Sequence, residues 1–317
     1  MEGGYEMRRF EWKEIPMEEY MYGGIVSCQG CAAALAMRLA LKALGGKAAM
    51  SIPACCWTII SGEFPYHALK VPVFHTAFET AAITAAGMRA GFDIQGKKDV
   101  VTMAWAGDGG TVDIGIQALS GVAERNENII YVCYDNEAYM NTGIQRSGAT
   151  PLKAWTTTTP YKRPNPRPKK NIDEIIAAHR IPYVATLSPA YPVDFVEKFK
   201  KAKKIVGSRF LHIISPCPPG WKTPSEISIK LARLAVETCV FPLYEIRNGE
   251  EYTITYFPKK KVPVIEYLRL QGRFKHLKED DIEEIQRNVD KNWELLLKKH
   301  LLSHPEDKEK IEKYLKK

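Results

Sequence analysis

No apolar run among the 317 residues approaches the length that crosses a bilayer. The opening stretch, MEGGYEMRRFEWKEIP, has no apolar segment of the secretory type, so a cytoplasmic protein with no membrane partner is expected. No helix-turn-helix, finger or RNA-binding signature accompanies the basic residues, so the net charge of +8 does not point to nucleic acid. Much of that excess falls in short tracts: Lys162, Arg163, Arg167, Lys169 and Lys170; Lys259 to Lys261; and the tail after Lys298. A solvated surface is their expected role, with docking of an acidic protein as the alternative. Cysteine is sparse and odd in number, and seven residues argue against a simple disulfide framework. Without a secretory signal the thiols should stay reduced, which leaves metal or redox chemistry for any that cluster. Internal repeats are absent, as is low complexity beyond one basic, Pro-rich loop near 150–170.

What is present is an alternation of strand-like and helix-like segments. CAAALAMRLALKALGG reads as a buried helix stopped by Gly45-Gly46, and AAMSIPACC as a short strand that Pro53 keeps from being a regular central one. AFETAAITAAGMRAGF is a small-residue helix, DVVTMAWAG a strand, TVDIGIQALSGVAER a helix and NIIYVCYDN a buried strand. After the irregular loop come PYVATLSP, PVDFVEKFKKAKKIVG, RFLHIISPC and SEISIKLARLAVETC, again strand, helix, strand, helix. LYEIRNGEEYTITYF reads as a hairpin turning at Asn248-Gly249, and a long charged helix is expected over about 278–300. The pattern predicts an α/β fold, a mostly parallel sheet covered by helices on both faces. The expected organisation is an N-terminal arm (1–24), an α/β binding domain (25–240) and a C-terminal extension (241–317).

Polar residues collect at the predicted strand ends, where open parallel sheets bind ligands. One strand runs into Gly107-Asp108-Gly109-Gly110 and another into Asp135-Asn136; Ser215-Pro216-Cys217 and Cys55-Cys56 end two more. The glycine cluster fits neither G-x-G-x-x-G nor the P-loop. Alone it would be a common turn, but Asn136 follows Gly109 by 27 positions at the next strand end. Asp108 and Asn136 offer the hard oxygens that Mg2+ prefers. Gly107, Gly109 and Gly110 would let a diphosphate approach the backbone, and a helix beginning near Thr111 would aim its free amides at it. Among the cysteines, Cys28 and Cys31 form a C-x2-C pair, which joins Cys217 and either Cys55 or Cys56 in a set of four thiolates. That set suits a [4Fe-4S] cluster or a zinc ion equally. Cys133 and Cys239 sit in apolar segments and read as buried thiols.

GDGGTVDIGIQALSGVAERNENIIYVCYDNEAYMNTGIQRSGATP resembles the β subunits of the pyruvate:ferredoxin oxidoreductase (2-oxoacid:ferredoxin oxidoreductase) family. So do KVPVFHTAFETAA, AWTTTTP and EYLRLQGRFKHL, and the likeness covers most of the chain. The resemblance implies a thiamine diphosphate-binding fold and oxidative decarboxylation of a 2-oxo acid, with the acyl group passing to coenzyme A and electrons to ferredoxin. It implies Mg2+ on Asp108, Asn136 and the Ala138 carbonyl, and Asn141 beside the thiazolium and the substrate. It assigns a [4Fe-4S] cluster to Cys28, Cys31, Cys56 and Cys217, with Cys55 pointing elsewhere. Ala32 stands where the family commonly has Gly after the second cysteine.

The glutamate for the aminopyrimidine ring is expected from an α subunit rather than from Glu79 or Glu137. Further γ/δ-type subunits would carry electrons outward, and His75 is expected to be structural or pocket-lining. Within the class, a branched-chain 2-oxo acid or oxalate are the substrate alternatives to pyruvate. Outside it, the alternative is a non-catalytic metal-binding scaffold.

Overall fold

Eight strands assemble into one sheet in a computed structural model that describes residues 15–315. The expected N-terminal arm therefore lies partly outside the described residues. The strands are β1 (Ala48–Pro53), β2 (Val73–Thr76), β3 (Val101–Gly107), β4 (Ile130–Asp135), β5 (Tyr183–Leu187), β6 (Arg209–Ile214), β7 (Tyr244–Arg247) and β8 (Glu251–Ile254). Their order is β2-β1-β3-β4-β6-β5-β7-β8. The first six are parallel, and the last two form an antiparallel hairpin that continues the sheet beyond β5. This is the expected fold class. β1, β4, β5 and β6 are buried along their whole length, which is why they read as continuous apolar runs and not as alternations.

Helices cover both faces. They are α1 (Ala32–Leu44), α2 (Cys56–Ile60), α3 (Ala81–Ile94), α4 (Ile116–Glu124), α5 (Ile172–Ala177), α6 (Pro192–Lys204), α7 (Pro218–Trp221), α8 (Ser228–Glu237), α9 (Val264–Leu268), α10 (Glu279–Ser303) and α11 (Lys308–Leu315). Side-chain alternation along β3 shows how the two cores differ. Trp105 enters one core with Met37, Leu41, Trp57, Phe195 and Phe199. Ala104 and Ala106 enter the other, against Ala81, Ala82 and Ala85 of α3. Small residues on both sides let α3 lie close to the sheet. Trp293, Leu296 and Leu297 of α10 close the far end of that second core.

Three local expectations change. Pro53 does not demote β1, which lies between β2 and β3: it is the last residue of the strand, beyond the ladder to β3 that ends at Ser51↔Ala104. The missing N–H therefore removes no bond to β3. β2 has no counterpart among the predicted strands, because four half-exposed residues at a sheet edge carry too little apolar signal. The helix expected to begin near Thr111 first makes a π-helical turn over Gly109–Asp113 and becomes α-helical only at Ile116.

Candidate active site

Register brings the two polar strand ends together. β3 and β4 are parallel neighbours with Gly107 opposite Tyr134, so Asp108 and Asn136 emerge side by side. Asp108 is 1% exposed, and its Oδ2 accepts the Ser147 hydroxyl at 2.5 Å. Burial, followed by the nearby Asp135 charge, pushes its carboxyl well above the usual range. A cation at this position would remove that penalty. The Asn136 side-chain amide donates to Asp108 Oδ1 at 2.9 Å and to the Ala138 carbonyl at 3.0 Å, the orientation that satisfies its hydrogen bonds. These bonds draw Asp108, Asn136 and the Ala138 carbonyl together, and turning the amide over would present three oxygens to a cation. Neighbouring ligands of an octahedral Mg2+ with bonds of about 2.0–2.1 Å stand about 2.9 Å apart, so the spacing fits that ion.

The glycines are required by rings as much as by any ligand. A Cβ on Gly109 would stand 2.2 Å from the Tyr139 ring, and one on Gly110 3.2 Å from the Phe78 ring. Those two rings meet edge to face at 5.9 Å over the turn. Below it, Thr111 Oγ donates to the Gly107 carbonyl at 2.8 Å. π-Helical turns of this kind recur at functional sites, because the wide turn leaves backbone groups unpaired.

A cleft of about 400 Å³ opens between these parts. Gly107 to Gly110, Asn136, Ala138 and Asn141 line it together with Cys55, Cys56 and Ile59. Asn141 lies on a loop closed by backbone bonds between Tyr139 and Gln145, 2.9 and 3.2 Å. The threonine run supports that loop from outside: Thr157 N–H donates to the Ile144 carbonyl at 2.9 Å, and its hydroxyl to that of Gly143 at 2.8 Å. Tyr139 is itself anchored, its hydroxyl donating to Asp113 Oδ2 at 2.8 Å.

Of the expected cluster ligands, Cys28 and Cys31 precede α1, Cys56 opens α2 and Cys217 precedes α7. The Ala32 N–H reaches the Pro216 carbonyl at 3.5 Å, tying the first segment to the third. Burial pushes the Cys56 thiol up to about 12, with Cys55, Cys217 and Cys31 adding to the effect. Cys217 is likewise pushed up to about 12, by burial and then, against a Gly220 N–H that lowers it, by Cys31 and Cys28. Burial likewise raises Cys31, so Cys31, Cys56 and Cys217 lie in surroundings that resist ionisation until a metal supplies positive charge. Among the described residues, no three His, Cys, Asp or Glu side chains already stand at metal-ligating spacing. The Cys55 sulfur accepts the Tyr134 hydroxyl. Trp221, at the end of α7, spans the two regions: its N–H donates to the Cys217 carbonyl at 2.8 Å and its Nε1 to the Asn136 carbonyl at 2.9 Å.

Sequence reasoning missed the charged layer beneath Asp108 and Asn136, the pair proposed below as a cation clamp. Asp135 contacts His212 and Lys169, Glu137 contacts Lys169 and Arg273, and Asp173 contacts His212. Lys169 is therefore not solvated surface, whereas Lys170 remains exposed while pairing with Asp113 at 2.9 Å. One signal was available: His212 interrupts the apolar run that follows Arg209 in β6. His75 and Glu79 are both exposed, His75 standing 3.5 Å from the Ser61 hydroxyl. No helix among the described residues is long and apolar enough to cross a membrane.

Residues 54–213 match the thiamine pyrophosphate enzyme family through its C-terminal TPP binding domain. The chain is 51% identical over 293 residues to the ketoisovalerate oxidoreductase subunit VorB of Pyrococcus furiosus, covering 90% of this chain and 94% of that one. It is 48% identical to the pyruvate synthase subunit PorB of Methanocaldococcus jannaschii, covering 89% and 98%. Its fold resembles that of a solved 2-oxoglutarate:ferredoxin oxidoreductase from Magnetococcus marinus, with a TM-score of 0.54 at 23% identity over 72% of this chain and 82% of that one. Polar residues gathered at two parallel strand ends, the thiamine pyrophosphate domain around them and relatives that match almost end to end lead to one assignment: this chain belongs to the β subunits of the thiamine diphosphate-dependent 2-oxoacid:ferredoxin oxidoreductase family.

Proposed function

We propose that this chain is the catalytic β subunit of a complex that oxidatively decarboxylates a 2-oxo acid, with pyruvate as the first candidate. The acyl group would pass to coenzyme A and the electrons to ferredoxin, and the same site would serve the reverse reaction. The observation that carries this reading is the cleft, in which Asp108, Asn136, Ala138, Asn141 and Cys56 meet. Thiamine diphosphate, when bound, supplies the nucleophilic carbon and the electron sink. Asp108, Asn136 and the Ala138 carbonyl would hold Mg2+, while the backbone of Gly107, Gly109, Gly110 and Thr111 faces the diphosphate. Asn141 would hydrogen-bond the 2-oxo acid. Cys28, Cys31, Cys56 and Cys217 would hold a [4Fe-4S] cluster beside the cleft. We take residues 25–240 as the binding unit, with 1–24 as an arm and 241–317 as an extension.

The aminopyrimidine glutamate is assigned to an α-type partner. Glu137 is buried and neutralised by Arg273 at 2.5 Å and Lys169 at 3.0 Å, and Glu79 is exposed. Neither lines the cleft. Further γ/δ-type subunits would receive the electrons, because the three remaining cysteines, Cys55 and the buried Cys133 and Cys239, are too few for a second cluster of four thiolates. Relatives named for ketoisovalerate and for pyruvate stand at 51% and 48% identity, a difference too small to choose between those substrates.

The test is CO2 release by the anaerobically purified complex, with Mg2+, thiamine diphosphate and an artificial electron acceptor, over a panel of pyruvate, a branched-chain 2-oxo acid and oxalate. Pyruvate turnover is expected from the complex and none from this chain alone. Robust turnover by the isolated chain would overturn the division of labour, and turnover of another panel member alone would replace pyruvate.

A further inference from the structure

Beneath the clamp lies a closed set of charges that the proposed chemistry does not use. Asp135, the last residue of β4, is fully buried. Its Oδ1 accepts the Glu137 N–H at 2.9 Å, and its Oδ2 faces His212 Nε2 at 2.9 Å and Lys169 Nζ. His212 comes from the neighbouring strand β6, and its Nδ1 stands 3.0 Å from each oxygen of Asp173. Tyr244 supports Asp173 from behind, its hydroxyl 3.3 Å away. With a carboxylate at each ring nitrogen, His212 donates from both, so the ring is held as an imidazolium.

The signs then balance: Asp135, Glu137 and Asp173 against His212, Lys169 and Arg273. Buried charge is tolerated only when paired in this way, and removing one member leaves another uncompensated.

This layer acts on one short piece of backbone. Glu137 has φ +70°, a left-handed conformation that a non-glycine residue keeps only when its surroundings fix it. Its N–H is held by Asp135, its carbonyl by the Thr150 hydroxyl at 2.8 Å, and its carboxylate by Arg273 and Lys169. The left-handed turn brings the Ala138 carbonyl back to accept from the Asn136 side-chain amide at 3.0 Å. Two of the three clamp oxygens are thus placed by a turn whose geometry depends on Asp135.

We infer that His212 is a positioning residue for the divalent cation: through Asp135 it fixes the turn at Glu137, and Asp173 holds the His212 ring in register. This inference rests on the clamp reading above. The partners that orient ligands commonly contribute about 10–100-fold in metal affinity, which sets the size of the effect.

Mn2+ serves as the probe, titrated into the anaerobically purified complex with thiamine diphosphate present, free Mn2+ being read by electron paramagnetic resonance. His212→Gln should weaken binding by about 10–100-fold. In turnover assays the Mg2+ activation constant should rise by a similar factor while turnover at saturating Mg2+ is retained, a split that a general loss of folded enzyme would not produce. Asp173→Asn keeps the shape and an acceptor for Nδ1. It should weaken Mn2+ in the same direction by a smaller factor, and it carries the test if His212→Gln fails to fold. Unchanged Mn2+ affinity in the folded variants would overturn the positioning role alone. If the wild-type complex bound no Mn2+ with thiamine diphosphate present, the clamp reading would fall and this inference with it.

Discussion

Gly109→Ala isolates the packing role of the glycine turn from its role towards a ligand. The added Cβ would stand 2.2 and 2.4 Å from two carbons of the Tyr139 ring. Ordinary contact begins near 3.4 Å, so the ring or the turn must move by about 1 Å. The ring cannot swing away freely, because its hydroxyl is fixed on Asp113, its edge meets Phe78 and its backbone pairs with Gln145. Overpacking of this kind costs about 1–3 kcal/mol. The displacement is passed to the loop that carries Asn141, where an error of about 1 Å can lower a rate by about 100-fold. Gly87→Ala provides the contrast: it lies within α3, its Cβ would meet nothing within 4 Å, and it should stabilise by about 0.5–1 kcal/mol with turnover unchanged. The assay pairs thermal melting with CO2 release by the assembled complex for both variants. Wild-type turnover and melting in Gly109→Ala would refute the argument, since the ring would then have yielded without moving the loop.

Asp108→Ala should abolish Mg2+-dependent retention of thiamine diphosphate in the complex, read as cofactor content after desalting; full occupancy would remove Asp108 from the clamp. Cys56→Ala should lose the iron of the anaerobically purified chain while Cys55→Ala keeps about four irons, and the opposite pattern would exchange their roles. Stability should depend on alkaline pH through His212. Burial alone would lower its pKa, but Asp173 and Asp135 outweigh burial and raise it from 6.5 to about 9. The contribution, about 3 kcal/mol, is therefore complete below pH 6.5 and lost as pH rises through about 9. Denaturant midpoints across that window should fall for the wild type and stay flat for His212→Gln; equal slopes would count against a charged ring.

The fold was legible where burial leaves a long apolar record, as in β4 and β6, whose residues are all buried. β2 left no such record because it is short and at an edge. That Asp108 and Asn136 share one sheet edge was legible because a polar residue after an apolar strand breaks its pattern. Beyond them, sequence spacing gives no distance between β4, β6 and the loop at Lys169, so the Asp135–His212–Lys169 contacts could not be read. Tyr139 escaped notice for a related reason: its ring excludes a side chain at Gly109, 30 positions away, through a contact that only the folded loop creates.

The position of β1 also sets the smallest piece of chain that can stand alone. The domain match begins at residue 54, one residue after β1 ends, yet β1 is the strand that joins β2 to the rest of the sheet. A fragment cut to 54–213 would leave β2 without its neighbour and β3 with an open edge. The same cut would remove Cys28, Cys31 and Cys217 while keeping Asp108, Asn136 and Asn141. The boundary that similarity draws around the thiamine site is therefore not one at which the polypeptide can be divided, and a separable thiamine module would have to start before Ala48 and carry its cysteines with it.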